Sequence, residues 1–189
     1  VFDFPKDERV LARWIALVTQ SAPDALILDF FGGSGSTAHA VMDLNASDGG
    51  QRRYILVQLS EPIDHDQHTT IADVARERVR RAGSAIRGQS GLDTCAADFG
   101  FRAFRVDTTN MADSHTTADE LGQVALASLI DSIKPDRTGE DLLFQVLLDW
   151  GLELSVPISV EHIDGREVHD VDDGALIACF AESISPELI

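Results

Sequence analysis

The sequence predicts an α/β fold: a doubly wound parallel sheet followed by a smaller α+β unit. Three observations carry that expectation. Short apolar runs alternate with amphipathic helical patterns over the first half. A glycine-rich turn joins the first run to a helix. The charge then shifts abruptly, with 12 Lys+Arg against 14 Asp+Glu in residues 1–105 but 3 against 18 in residues 106–189. A balance of −2 followed by −15 accounts for the chain's −17 and marks two units, expected at 1–110 and 111–189.

The elements follow in order. Phe4-Pro5-Lys6 reads as an extended lead-in, because the residue before a proline is pushed away from helix. From Asp7 to Gln20, Val10, Leu11, Trp14, Ile15, Leu17 and Val18 recur at helical spacing. Ala25–Phe30 and Tyr54–Leu59 are short apolar runs bounded by turn residues, as in parallel strands buried on both faces. A helix is expected over Ala38–Leu44, a loop over Asn45–Gly50, a helix over Ile71–Arg87 and a third strand over Phe99–Val106. In the acidic half, helices are expected over Thr117–Ile133 and Glu140–Trp150. Glu153–Ile163 and Arg166–Val171 flank Asp164-Gly165, a two-residue hairpin signal, and Ala175–Phe180 can add a third strand.

Composition narrows the function. With 44% hydrophobic and 25% charged residues, the chain can bury a core. No run of eighteen apolar residues occurs, so no membrane partner is expected. The acidic half repels phosphate backbones, so this segment alone is not expected to hold DNA strongly. Cys95 and Cys179 match no metal-ligand spacing; they predict a reducing cytoplasm and no metal site. A start at Val1 rather than Met predicts a piece of a longer protein.

Chemistry concentrates in Asp29-Phe30-Phe31-Gly32-Gly33-Ser34-Gly35-Ser36-Thr37. A glycine turn between strand and helix lets a ligand approach main chain, and the helix start offers unpaired N–H groups. A nucleotide P-loop would need a Gly-Lys-Ser/Thr string, and no lysine lies here. A dinucleotide cofactor remains open, since Gly33-Ser34-Gly35-Ser36-Thr37-Ala38 fits G-x-G-x-x-G/A. S-adenosylmethionine remains open too, with Glu61 past the second strand as acceptor for the ribose hydroxyls. Each such charge-assisted bond is worth ~1.5–3 kcal/mol. A third possibility is a non-enzymatic assembly module whose glycine loop is only a tight turn.

The string Asp29–Met42, with Leu44-Asn45, Asp48-Gly49-Gly50 and Arg52–Leu59, resembles the modification subunit of type III restriction–modification systems. The resemblance continues through Thr70–Asp73, Glu77–Gly83 and Gly100–Phe104, and into the acidic half at Glu140–Gly151 and Leu176–Phe180. It implies a partial S-adenosylmethionine-dependent methyltransferase (Rossmann-like) sheet and a parent enzyme that methylates adenine N6 in DNA. The implied cofactor-binding residues are Phe4, Pro5, Lys6, Asp29, Phe31, Gly32, Gly33, Ser34, Gly35 and Thr37, together with Glu61. Gly33 stands where Ala is usual in the family, Ser36 where Thr is usual, and Asp7 where Pro is frequent.

The family's Asp-Pro-Pro-Tyr type motif, which accepts the target amino group and stacks on a flipped base, is absent, because no two of the six prolines are adjacent. No catalytic residue is therefore expected in this chain. The resemblance implies a carboxyl-terminal portion lacking the catalytic motif and target-recognition region, inactive by itself. It would leave the edge of the Ala25–Phe30 strand open. Implied partners are DNA through the intact enzyme, a restriction subunit and a second modification subunit, with the acidic unit as the assembly module. Elsewhere the plainer expectations hold: Asp64, His65, Asp66 and His68 form a solvated loop, and Arg76, Arg78, Arg80, Arg81 and Arg87 a solvated helix face balanced by Asp73 and Glu77. Trp14 and Trp150 are expected in a core or interface, and Asp98 near an adenine or as a loop cap.

Overall fold

The computed structural model describes residues 6–65, 67–89, 98–112 and 133–181. The chain divides into two units, Val1–Ala103 and Phe104–Ile189. Phe4, Pro5, Asp66, Cys95 and the expected helix from Thr117 up to residue 132 lie outside the described residues.

In the first unit, helix α1 (Glu8–Val18) starts where the Asp7 carboxylate accepts the Arg9 N–H at 2.8 Å. Its stripe of Leu11, Ala12 and buried Ile15 packs on Ala40 and Val41 of α2 (Ser36–Asp48). The other side of α2, at Ala38 and Met42, packs on Val79, Ala82 and Ile86 of α3 (Ile71–Gln89). An element packed on two sides needs apolar or small residues nearly all round, which Ala38, Ala40, Val41 and Met42 provide. α2 runs four residues past the expected Leu44. Asn45 and Asp48, loop formers by composition, are held in the helix by Arg52: Asn45 Oδ1 accepts the Arg52 N–H at 3.1 Å, and Asp48 accepts its guanidinium at 3.0 Å. Gly49 ends the helix in the left-handed conformation.

Strands β1 (Leu26–Asp29) and β2 (Arg53–Leu56) pair in parallel, from Leu26↔Arg53 to Asp29↔Leu56. Ile27, Tyr54 and Leu56 face the helices. The opposite face, with Leu26, Leu28, Ile55 and Val57, is about half exposed, Leu28 at 51%. The expectation of burial on both faces therefore fails among the described residues, because the packed helices cover only one side. The third strand expected at Phe99–Val106 also fails. Asp98 Oδ1 accepts the Gly100 N–H at 2.7 Å and turns the chain there, while Phe99 sits in the α3 cluster instead of a ladder. Trp14 is 63% exposed and Trp150 65%, so neither is a core residue of its own unit.

The second unit is the expected helix and meander. Thr138 and Asp141 form a reciprocal capping box at the start of α4 (Gly139–Asp149). Leu143 and Leu147 of α4 are fully buried against Val171, with Ile158, Leu176 and Phe180 around them. β3 (Ile158–Ile163), β4 (Arg166–Val171) and β5 (Leu176–Ala178) pair antiparallel in the order β3-β4-β5. The β3–β4 turn has Asp164 and Gly165 at φ 53° and 74°, the left-handed pair that a two-residue hairpin requires. Met111 and Ile133 form an isolated bridge. No helix among the described residues is long and apolar enough to cross a membrane.

Candidate ligand-binding site

Parallel pairing puts the carboxyl ends of β1 and β2 side by side at one edge of the sheet. The glycine turn leaves the first end and Ser60-Glu61 follows the second, the arrangement at which open α/β sheets bind ligands. The ladder continues past both strands: the Val57 N–H donates to the Asp29 carbonyl at 2.8 Å, and the Gly32 N–H to the Val57 carbonyl at 3.1 Å.

Side chains then hold the turn. Asp29 accepts the Phe31 N–H on Oδ1 at 3.0 Å and the Thr37 hydroxyl on Oδ2 at 2.6 Å, so one carboxylate ties strand end, turn and helix start. Gln58 Oε1 accepts the Gly33 N–H at 2.7 Å. The Gly35 N–H donates to the Gly32 carbonyl at 2.8 Å. Gly35 sits at φ +79°, and a Cβ there would lie 3.1 Å from Val79 Cγ2 and 3.2 Å from the Ala75 carbonyl oxygen of α3. Lacking a side chain, Gly35 leaves the amino-terminal amides of α2 without a side-chain cap.

The expected site residues thus fall into groups. Asp29, Gly32, Gly33, Ser34, Gly35 and Thr37 come together in the turn. Gly32 and Gly35 are buried, under Leu56 and α3 respectively, so their missing Cβ atoms serve the protein's own packing. Gly33 is half-exposed and Phe31 is 85% exposed, which makes these two the accessible part of the turn. Lys6 is exposed immediately before the α1 cap. Glu61 is exposed; its carbonyl accepts the Ile71 N–H at 3.1 Å, and its carboxylate has no hydrogen-bond partner among the described residues.

Two contributors carry no motif. Gln58 is a lone polar residue in the run Tyr54–Leu59, and that interruption is the signal that marks it. Arg78 reaches the Ser34 hydroxyl at 3.1 Å and Glu8 at 3.3 Å, whereas Arg76 pairs with Asp73, and Arg80 and Arg81 with Glu77, inside α3. Hydrogen bonds from Thr69, Thr70 and Arg76 hold the Asp73 carboxyl well below the usual carboxylate range, and Arg81 and Arg80 lower Glu77. Arg52 does the same for Asp48. Burial pushes the Tyr54 hydroxyl up to about 12, with the Asp98 charge adding to it. A cavity of about 490 Å³, lined by Glu8, His39, His65, His68, Arg78 and Arg81 among others, opens beside the Arg78–Glu8 pair. No group of three or more His, Cys, Asp or Glu among the described residues is placed to hold a metal.

No protein-family model matches the chain. Individual proteins do. The chain is 33% identical to the type III restriction-modification enzyme StyLTI Mod subunit of Salmonella typhimurium, over 93% of this chain and 31% of that protein. It is 31% identical to the EcoP15I Mod subunit of Escherichia coli, over 79% of this chain and 22% of that protein. A stretch covering 33% of this chain is 51% identical to 15% of the type II methyltransferase M.KpnI of Klebsiella pneumoniae. Sequence similarity therefore places the chain among restriction–modification and methyltransferase proteins. Within that class, it belongs to the family of type III Mod subunits, as a segment of one. It spans about a third of the StyLTI Mod subunit's length.

Proposed function

We propose that this chain is the S-adenosylmethionine-binding segment of a DNA adenine-N6 methyltransferase of a type III restriction–modification system. The carrying observation is the turn at the adjoining ends of two parallel strands, held by Asp29, Gln58 and Thr37, in a chain alike over most of its length to Mod subunits. The donor set suits the ligand. Half-buried Gly33 admits close approach to main chain, and the Glu61 carboxylate, beyond the end of β2 and without a hydrogen-bond partner among the described residues, can accept ribose hydroxyls. Lys6, exposed just before the α1 cap, is a further contact on this reading. When bound, the cofactor supplies the methyl group; these residues hold and orient it.

On this reading, residues 1–110 are part of a methyltransferase domain of Rossmann type, and residues 111–189 an acidic assembly unit. The intact enzyme acts on DNA in the cytoplasm together with a restriction subunit and a second modification subunit, one or the other of which the acidic unit contacts. Catalysis rests with residues outside this chain, whose six prolines include no adjacent pair. Calorimetry of the chain and of its full-length parent against S-adenosylhomocysteine and NAD tests the cofactor assignment. S-adenosylhomocysteine binding that Glu61→Gln weakens roughly tenfold or more is expected. Binding of NAD in its place, or of neither ligand by the parent, refutes it. Subunit assembly that survives deletion of residues 111–189 from the parent refutes the assembly role.

A further inference from the structure

The side of α3 that meets the glycine turn carries Ala75, Arg78 and Val79, which the helical repeat places together. Ala75 and Val79 form the floor under Gly35. Arg78, beside them, sends one nitrogen to the hydroxyl of buried Ser34 at 3.1 Å and another to the Glu8 carboxylate at 3.3 Å. These partners lie 44 and 70 residues away in the chain. Glu8 opens α1, two residues after Lys6. Local pairing does not account for this arrangement: Arg76, Arg80 and Arg81 find carboxylates within α3 itself, one turn away.

We infer that Arg78 is a positioning residue that fastens the entry of α1 and the Phe31–Thr37 turn into one frame. The fork of the guanidinium suits the task, since its separate N–H donors can hold two acceptors at fixed directions, which an ammonium does less well. Arg78 touches no reacting group. In its bearing on cofactor binding the inference rests on the function proposed above, in which the turn and Lys6 both contribute to the methyl-donor site.

Hydrogen exchange read by mass spectrometry on the whole chain tests the frame. In Arg78→Ala, amides of both Glu8–Ala12 and Gly33–Ala38 are expected to exchange about tenfold faster, while Ala82–Arg87, further along α3, keeps its rate. Arg78→Lys should recover part of this protection. Glu8→Gln combined with Arg78→Ala should add little beyond Arg78→Ala alone at Glu8–Ala12, as expected for one shared contact. Faster exchange at one segment only, or equally everywhere, overturns the inference. Should Arg78→Ala not fold, Glu8→Ala tests the α1 arm of the frame alone, since its side chain is partly exposed: Glu8–Ala12 should exchange faster, and unchanged exchange there overturns the inference.

Calorimetry separates this inference from the cofactor assignment. An unmodified chain that binds S-adenosylhomocysteine about tenfold more tightly than Arg78→Ala supports both. Equal binding by the two overturns the positioning role and leaves the cofactor assignment standing. Two-segment exchange in a chain that binds no S-adenosylhomocysteine supports the frame and counts against the cofactor assignment.

Discussion

Replacing Gly35 by alanine places one carbon atom where two separate penalties meet. The residue lies at φ +79°, and a Cβ in left-handed backbone costs ~1–2 kcal/mol. The same atom would lie 3.1 Å from Val79 Cγ2 and 3.2 Å from the Ala75 carbonyl oxygen. The valine methyl can rotate, but the carbonyl belongs to the α3 backbone and moves only with the helix. Overpacking of this kind costs ~1–3 kcal/mol, so Gly35→Ala should destabilise by ~2–5 kcal/mol in all. Gly49 separates the two effects. Its φ is +71°, and a Cβ there meets nothing within 4 Å, so Gly49→Ala should lose the backbone penalty alone, ~1–2 kcal/mol. Urea unfolding followed by far-ultraviolet circular dichroism measures both, provided the slope m is unchanged. Losses equal to within ~0.5 kcal/mol would refute the claim that α3 packs against the turn at this position.

Arg52 is 7% exposed and donates to the Thr19 hydroxyl at 2.8 Å, to Asn45 at 3.4 Å and to both oxygens of Asp48 at 3.0 Å. Arg52→Met keeps the apolar stem and removes the donors, so ~2 kcal/mol should be lost in the same urea assay; a loss under ~0.5 kcal/mol would show the network idle. Tyr54 is the chain's one tyrosine, and its hydroxyl is buried without a hydrogen-bond partner among the described residues. Absorbance near 295 nm should therefore place its ionisation at about 12 in the folded protein. Because the folded state holds this proton more tightly than the unfolded state, its contribution to stability is intact below about pH 10 and is lost as pH rises towards 12. Titration of the native chain near 10 would mean that the ring is not buried.

Much of this architecture was legible because single residue types dictate it. The helical spacing of Leu11, Ile15 and their neighbours marks α1 to within two residues at each end. Asp164-Gly165 specifies its hairpin because both positions need left-handed backbone. The glycine string marks the turn, since few residues besides glycine serve at φ +52° and +79°. Two of the misreadings share one cause, in that an apolar pattern says that a residue is buried without saying against what. Phe99 and Phe101 satisfy a strand's alternation yet pack on α2 and α3 with no ladder. Leu28 and Ile55 satisfy a buried strand yet face outward here. Asn45 and Asp48 read as a loop until Arg52, beyond the helix end, arrives to hold them. Gln58 stands out as a polar interruption of its run, but its partner and that of Arg78 are 25 and 44 residues away, and only folding reveals them.

The hydrogen bonding of the turn also weighs between the two cofactor chemistries that its glycines leave open. A pyrophosphate is held best where several main-chain N–H groups converge on it. Here Asp29 takes the Phe31 amide, the Val57 carbonyl that of Gly32, Gln58 that of Gly33, and the Gly32 carbonyl that of Gly35. The turn is thus closed upon itself and preorganised, with four of its amides already satisfied. That reduces its value as an anion nest, independently of the missing lysine. A ligand whose zwitterionic end presents an ammonium as well as a carboxylate asks for acceptors as much as donors. Carbonyl oxygens of such a turn can meet that demand without breaking the bonds that shape it. Gly32 and Gly35, both buried, set the shape of the turn, and Gly33 with Phe31 presents its surface.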